Sequence, residues 1–229
     1  MNPLQDLTEP EDGTAAAEVG AAAAALRPAF VTWLLYEAIW GAFYLASGIV
    51  AEPSATVGMV AYVVTALVAA TVVARQARID HVECRLFARP RRGMVELCLI
   101  AGIGGSMLLA MLESRVWSWH PAPLPEKDLG WPIFLTLMTA AALPAVVEEL
   151  LFRGVILQRL RRVLTWPLAL AIQAMLFAVM HLDGAYVLPH FAFGCLAGFL
   201  RIAARALWPC LMLHFLWNTW LVFAHYGWL

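Results

Sequence analysis

Glu148 and Glu149 stand side by side in the stretch ALPAVVEELLFRGVIL, and Arg153 follows four residues after the second. Two carboxylates and a guanidinium in an apolar run are costly to desolvate, so this is where chemistry is expected first. Residues four apart share a helix face, which lets Glu149 pair with Arg153 while Glu148, turned by about 100°, points elsewhere. The neighbours therefore have different tasks. Glu149 is read as structural, and Glu148, poorly solvated and beside a second negative charge, as suited to general acid or base work. Pro144 cannot donate to the carbonyl of Ala140, so a kink or an exposed carbonyl is expected just before the pair.

Two further constellations repeat the spacing. FAVMH puts Phe177 and His181 four apart, and HFLWN does the same for His214 and Asn218. At the helical rise, Glu148 lies about 21 Å above Arg162 and His181 about 21 Å above Pro167, so two helices starting at one boundary bring them to a common depth. His214 and Asn218 fall at about 10 to 16 Å above Leu207. A carboxylate and an imidazole can together bind and deprotonate water, and a histidine with an asparagine amide can donate to a developing oxyanion. No serine or cysteine sits in these motifs, which favours water attack on a peptide bond over an acyl-enzyme. HExxH is absent and no cofactor is firmly expected. Zinc or another divalent metal held by Glu148, His181 and His214 stays an open alternative.

The elements that must hold these groups are membrane helices. Of the 229 residues, 62% are hydrophobic and 14% charged, against roughly 25% charged in an ordinary soluble domain. The formal net charge of −1 offers no basic face for a phosphate backbone, so nucleic acid is excluded as a partner and lipid is expected. Windows of roughly 20 apolar residues mark an all-α bundle of about seven spans: Pro28 to Val50, Ala55 to Ala74, Met94 to Leu112, Pro132 to Leu157, Pro167 to His181, Leu188 to Leu200, and Leu207 to Trp228. The fifth and sixth are short for a full crossing. Arg27, the arginines between Arg75 and Arg92, Arg159, Arg161, Arg162, Arg201 and Arg205 fall on one side if the spans alternate, against Arg115 and Lys127 on the other. The positive-inside rule then puts the N-terminus in the cytoplasm and the C-terminus outside.

Outside the spans and their motifs, the expectations are plainer. Residues 1–27 form an acidic, alanine-rich tail, mobile or a frayed surface helix, ahead of a transmembrane domain over 28–229. Trp117, Trp119, Trp131, Trp166, Trp208 and Trp228 sit near span ends as interfacial anchors, and the four scattered cysteines indicate no disulfide framework. Gly102, Gly104 and Gly105 permit close helix contact, Glu37 reads as an interface carboxylate, and His81, His120, His190 and His225 are left outside the site.

EELLFR, FAVMH and ALWPCLMLHFLWN resemble the motifs of the CPBP intramembrane proteases, the group of type II CAAX prenyl endopeptidases and bacteriocin-processing Abi proteins. The three occur in the family's order over roughly 132–221, the protease-like core. The resemblance implies a glutamate-dependent intramembrane endopeptidase of a bacterial cell membrane, acting on a membrane-anchored or prenylated peptide. It implies that Glu148 and His181 activate water, that His214 and Asn218 form the oxyanion hole, and that Glu149, Arg153 and Phe177 support the site. Two other classes fit the same residues: a proton-coupled transporter, in which such clusters relay protons, and a non-catalytic scaffold or immunity protein that keeps the fold.

Overall fold

A computed structural model describes residues 12–49, 55–79, 89, 93–105, 108, 132–181 and 187–228, helical nearly throughout and without a strand among the described residues. Seven helical stretches follow one another. They are α1 (Asp12–Ile49), α2 (Ala55–Ile79), α3 (Met94–Leu99, continued by a π turn over Ile100–Gly104), α4 (Ile133–Leu160), α5 (Trp166–Met180), α6 (Val187–Ala204) and α7 (Trp208–Tyr226). The expectations for residues 1–11, the arginines Arg85, Arg91 and Arg92, Cys84, His81, His120, Trp117, Trp119, Trp131, Arg115 and Lys127 lie outside the described residues.

α4 is the post around which the others stand: α1, α2, α5, α6 and α7 all pack on it. Residues 151–157 are buried without exception, so this part of α4 has protein on every side. The helix is not uniform. Its bonds widen to i→i+5 over Leu137–Ala142 and again over Leu150–Ile156, where Leu143 N–H donates to Met138 O and Leu157 N–H to Phe152 O. Such π turns cluster at functional sites. The pair Glu148 and Glu149 ends the seven-residue α segment between the two, with Pro144 in its first turn. The irregularity foreseen from Pro144 is thus present, as a widened turn just ahead of the proline.

Among the described residues, three helices are long and apolar enough to cross a membrane: Val60–Arg78 within α2, the 28-residue α4, and α6. α5, at 15 residues, spans only about 22 Å and is short of a bilayer core, in line with the fifth window. The sixth is different. Its apolar window stops at Leu200 because Arg201 follows, yet α6 continues to Ala204 with Arg201 4% exposed. The protein, not water, accommodates that charge.

α1 also departs from the sequence reading, which started the first span at Pro28. The helix runs from Asp12 straight through that proline, because its alanine-rich flank has the highest helix propensity available and offsets the missing donor. The Pro28 carbonyl is used: Thr32 Oγ1 donates to it at 2.8 Å, and so does Arg159 Nη1, which also donates to Thr32 Oγ1. Arg159, assigned from sequence to a cytoplasmic loop, is instead buried at the end of α4 and latches α1 to it.

The closest packing is between α5 and α6. Gly194 and Gly198, a GxxxG pair, let the backbones touch: a Cβ on Gly194 would lie 2.9 Å from Ala174 Cα, and one on Gly198 would strike the side chains of Leu170 and Gln173. Of the glycines singled out from sequence, Gly104 and Gly105 do not act this way among the described residues, since Gly104 has nothing within 4 Å and Gly105 meets Trp217 at 3.9 Å, while the surroundings of Gly102 lie outside what is described. Cys210 packs as a small buried thiol, donating to Ala197 O at 3.2 Å.

Gly194→Ala should part α5 from α6, a loss of about 1–3 kcal/mol read as a lower melting temperature in detergent. Gly104→Ala should show no loss, and a wild-type melting temperature for Gly194→Ala would show that these helices are not locked together.

Candidate active site

α4 brings Glu149 and Arg153 to one face, and both are fully buried. Arg153 Nη1 donates to Glu149 Oε1 at 2.8 Å, the i,i+4 pair that the spacing called for. A buried pair is stabilised when its remaining donors are met, and Arg153 Nη2 donates to the Gly194 carbonyl at 3.3 Å, while the buried Nε has no hydrogen-bond partner among the described residues. The same carbonyl accepts from Gln173 Nε2 at 2.8 Å, so the glycine crossing of α5 and α6 doubles as part of the arginine's cradle. The guanidinium lies over the Phe177 ring at 4.6 Å and near Phe193 at 5.7 Å, two cation–π contacts that replace water on its face.

The third partner of Glu149 comes from α7. His214 Nδ1 lies 2.8 Å from the Glu149 Oε1 that Arg153 also holds, with His214 4% exposed. An imidazole nitrogen against a carboxylate oxygen is the donor, so Nδ1 carries a proton and the ring is held at its rear edge. Nε2 then faces the other glutamate. It stands 3.9 Å from Glu148 Oε2, a buried oxygen with no hydrogen-bond partner among the described residues. Adjacent carboxylates thus have unlike surroundings: Glu149 is held through Oε1 by Arg153 and His214 and keeps Oε2 open, while Glu148 stands outside that pair with its open Oε2 toward a histidine nitrogen.

His181 arrives from the end of α5. Its Nδ1 donates to the Phe177 carbonyl at 2.9 Å, which leaves Nε2 as the basic nitrogen. His181 and His214 both pack on Phe177, with centroids 4.9 Å and 6.0 Å from that ring, and among the described residues no ion pair joins His181 to Glu148. The common depth counted along the helices therefore places His181 in the cluster and short of contact with Glu148. Asn218 lies one turn beyond His214 on α7, partly buried, with no hydrogen bond to the other described site residues. Among the described residues no group of three His, Cys, Asp or Glu side chains that could hold a metal ion is found.

Residues 130–220 match the family model described as type II CAAX prenyl endopeptidase Rce1-like. This stretch, about two fifths of the chain, is similar to Rce1-like domains. Glu148, Glu149, Arg153, Phe177, His181, His214 and Asn218 all fall inside the matched stretch, and the apolar helices are those of an integral membrane protein. The curated proteins and the solved structures contain no match to the chain.

Several neighbours of the polar cluster were not read from the sequence. His190, left outside, stacks on His181 with centroids 3.8 Å apart and planes inclined by 26°. Gln173 sits in no motif, and its buried amide shows only when α6 is laid against α5. Glu37, read as an interface carboxylate, is half-buried on α1. The buried Tyr36 is its neighbour on that helix. α1 and α2 precede the matched stretch in sequence and still pack on α4, the helix that carries Glu148 and Glu149.

Removing the guanidinium leaves Glu149 charged and buried, which costs about 3–5 kcal/mol. Arg153→Met should therefore unfold far below wild type in detergent, and Glu149→Gln/Arg153→Met should recover much of the loss. Equal destabilisation of the single and double variants would show that the pair is not what the arginine serves.

Proposed function

We propose that this chain is an intramembrane endopeptidase that hydrolyses a peptide bond of a membrane-anchored substrate with water activated at Glu148. The supporting observation is the open, buried Oε2 of Glu148 facing Nε2 of a histidine whose rear edge is held by Glu149. A separation of 3.9 Å is too long for a hydrogen bond and leaves a bent bridge for one water.

In this mechanism Glu148 takes a proton from that water as the oxygen attacks the scissile carbonyl carbon. The tetrahedral oxyanion forms next to Asn218, whose amide donates to it, while His214, held at Nδ1 by Glu149, accepts the water's second hydrogen at Nε2 and orients it. Collapse breaks the C–N bond, and Glu148 returns its proton to the leaving amine. One water is consumed, and an acid and an amine are released. His181, with its lone pair on Nε2, is the second base and holds the water or the leaving group from the Phe177 side. No step draws on a metal.

The family class points to a peptide carried by a prenyl group or another membrane anchor as substrate. α1, α3, α5 and α7 join the three long apolar helices to make seven spans. On this reading the N-terminus lies in the cytoplasm and the C-terminus outside, in a bacterial cell membrane; the exposed arginines Arg75, Arg78, Arg161, Arg162 and Arg205 support that orientation.

Purified protein incubated with a membrane-anchored peptide library, including prenylated CAAX sequences, should give cleavage products. Glu148→Ala should lower turnover by about 100-fold or more, and Asn218→Ala by about 10- to 100-fold. Equal turnover by wild type and Glu148→Ala would sink the assignment and leave a scaffold of the same fold.

A further inference from the structure

The position of His190 follows from helix register. α5 and α6 run antiparallel and touch where Gly194 meets Ala174. One turn back along α6 from Gly194 is His190, and one to two turns on along α5 from Ala174 are Phe177 and His181, so the close glycine crossing brings these rings together. The His190 ring lies 6.2 Å from the Phe177 centroid and 3.8 Å from that of His181, nearly parallel to it, while Phe193 stacks on Phe177 at 5.7 Å. α6 therefore presents a ring to the face of His181 at the same level at which it presents Phe193 to Phe177.

His181 needs such a support. It is the residue that ends α5, where a side chain has fewer helical neighbours to restrict it. Its bond from Nδ1 to Phe177 O fixes one edge of the ring, but rotation about that bond would still swing Nε2. A second planar ring against its face removes that freedom. Orientation of this kind is worth much to a reaction, since a displacement of about 1 Å in a reacting group can cost about 100-fold in rate.

We infer that His190 is a positioning residue that locks the plane of His181 by stacking, and so aims its Nε2 into the polar cluster. Only the ring is required, so a phenyl group can take the place of the imidazole. The kinetic consequence rests on the peptidase reading above, while the structural one does not.

Two readouts on the full chain in detergent micelles test this. In two-bond proton–nitrogen spectra of histidine-labelled protein, with His181 assigned by its loss in His181→Gln, the wild type should show a single tautomer with the proton on Nδ1. His190→Ala should average the two nitrogens, and His190→Phe should restore the wild-type pattern. With a cleaved library peptide as probe, His190→Ala should lower kcat by about 10-fold with KM within about twofold, and His190→Phe should stay within about threefold of wild type.

A His181 spectrum unchanged in His190→Ala would overturn the inference whether or not the protein is a peptidase. So would His190→Phe as impaired as His190→Ala, because His190 would then act through its nitrogens. Absence of cleavage by wild type, with the spectral pattern as expected, would remove the peptidase reading and leave the stacking role in place.

Discussion

Everything in the core is arranged around a guanidinium that has no water. Arg153 is fully buried, and an unpaired charge at that depth would cost several kcal/mol, so the chain must bring it a counter-charge, acceptors and polarisable faces. Glu149 supplies the first from the preceding turn of α4, the Gly194 carbonyl the second from α6, and Phe177 with Phe193 the third. These groups come from α4, α5 and α6, so satisfying one side chain fixes how the three helices meet. The GxxxG approach of α6 to α5 is the steric condition for it, because only a close crossing brings the Gly194 carbonyl under the arginine.

The same arrangement divides two adjacent carboxylates. Glu149 spends Oε1 on Arg153 and His214, which turns the histidine so that its other nitrogen faces Glu148. Oε2 is open on both glutamates, but only that of Glu148 faces His214 Nε2 and belongs to a carboxylate outside the pair with Arg153. The widened turns of α4 flank this segment on both sides, and a helix with such turns is where backbone regularity is given up for side-chain placement. The packing of α1 on α4 shows that the matched stretch is not self-contained. Tyr36 and Glu37 come from outside it, and Arg159 holds their helix in place by its bonds to Pro28 and Thr32.

What could be read from the sequence was whatever depends on one helix at a time. The i,i+4 pairing of Glu149 with Arg153, the placement of Phe177 below His181, and most span boundaries follow from helical period and apolar length alone. What could not be read depends on how helices register against one another. His190 and Gln173 carry no motif signal, and their partners are 9 and 21 residues away across a helix crossing. The glycines that mattered were Gly194 and Gly198, because closeness is set by what faces a glycine. Hydropathy also ended α6 at Leu200 and sent Arg159 to a loop, since it counts an arginine as solvated and both of these are buried in protein.

The division of labour between the two glutamates is tested most directly by neutralising each without changing its shape, and measuring melting temperature and peptide turnover on the same samples. Glu148→Gln should melt like wild type and turn over at least about 100-fold more slowly. Glu149→Gln should melt well below wild type, because Arg153 loses its counter-charge. If the two variants lost stability alike, or if Glu148→Gln kept its turnover, Glu148 would not be the residue set aside for water.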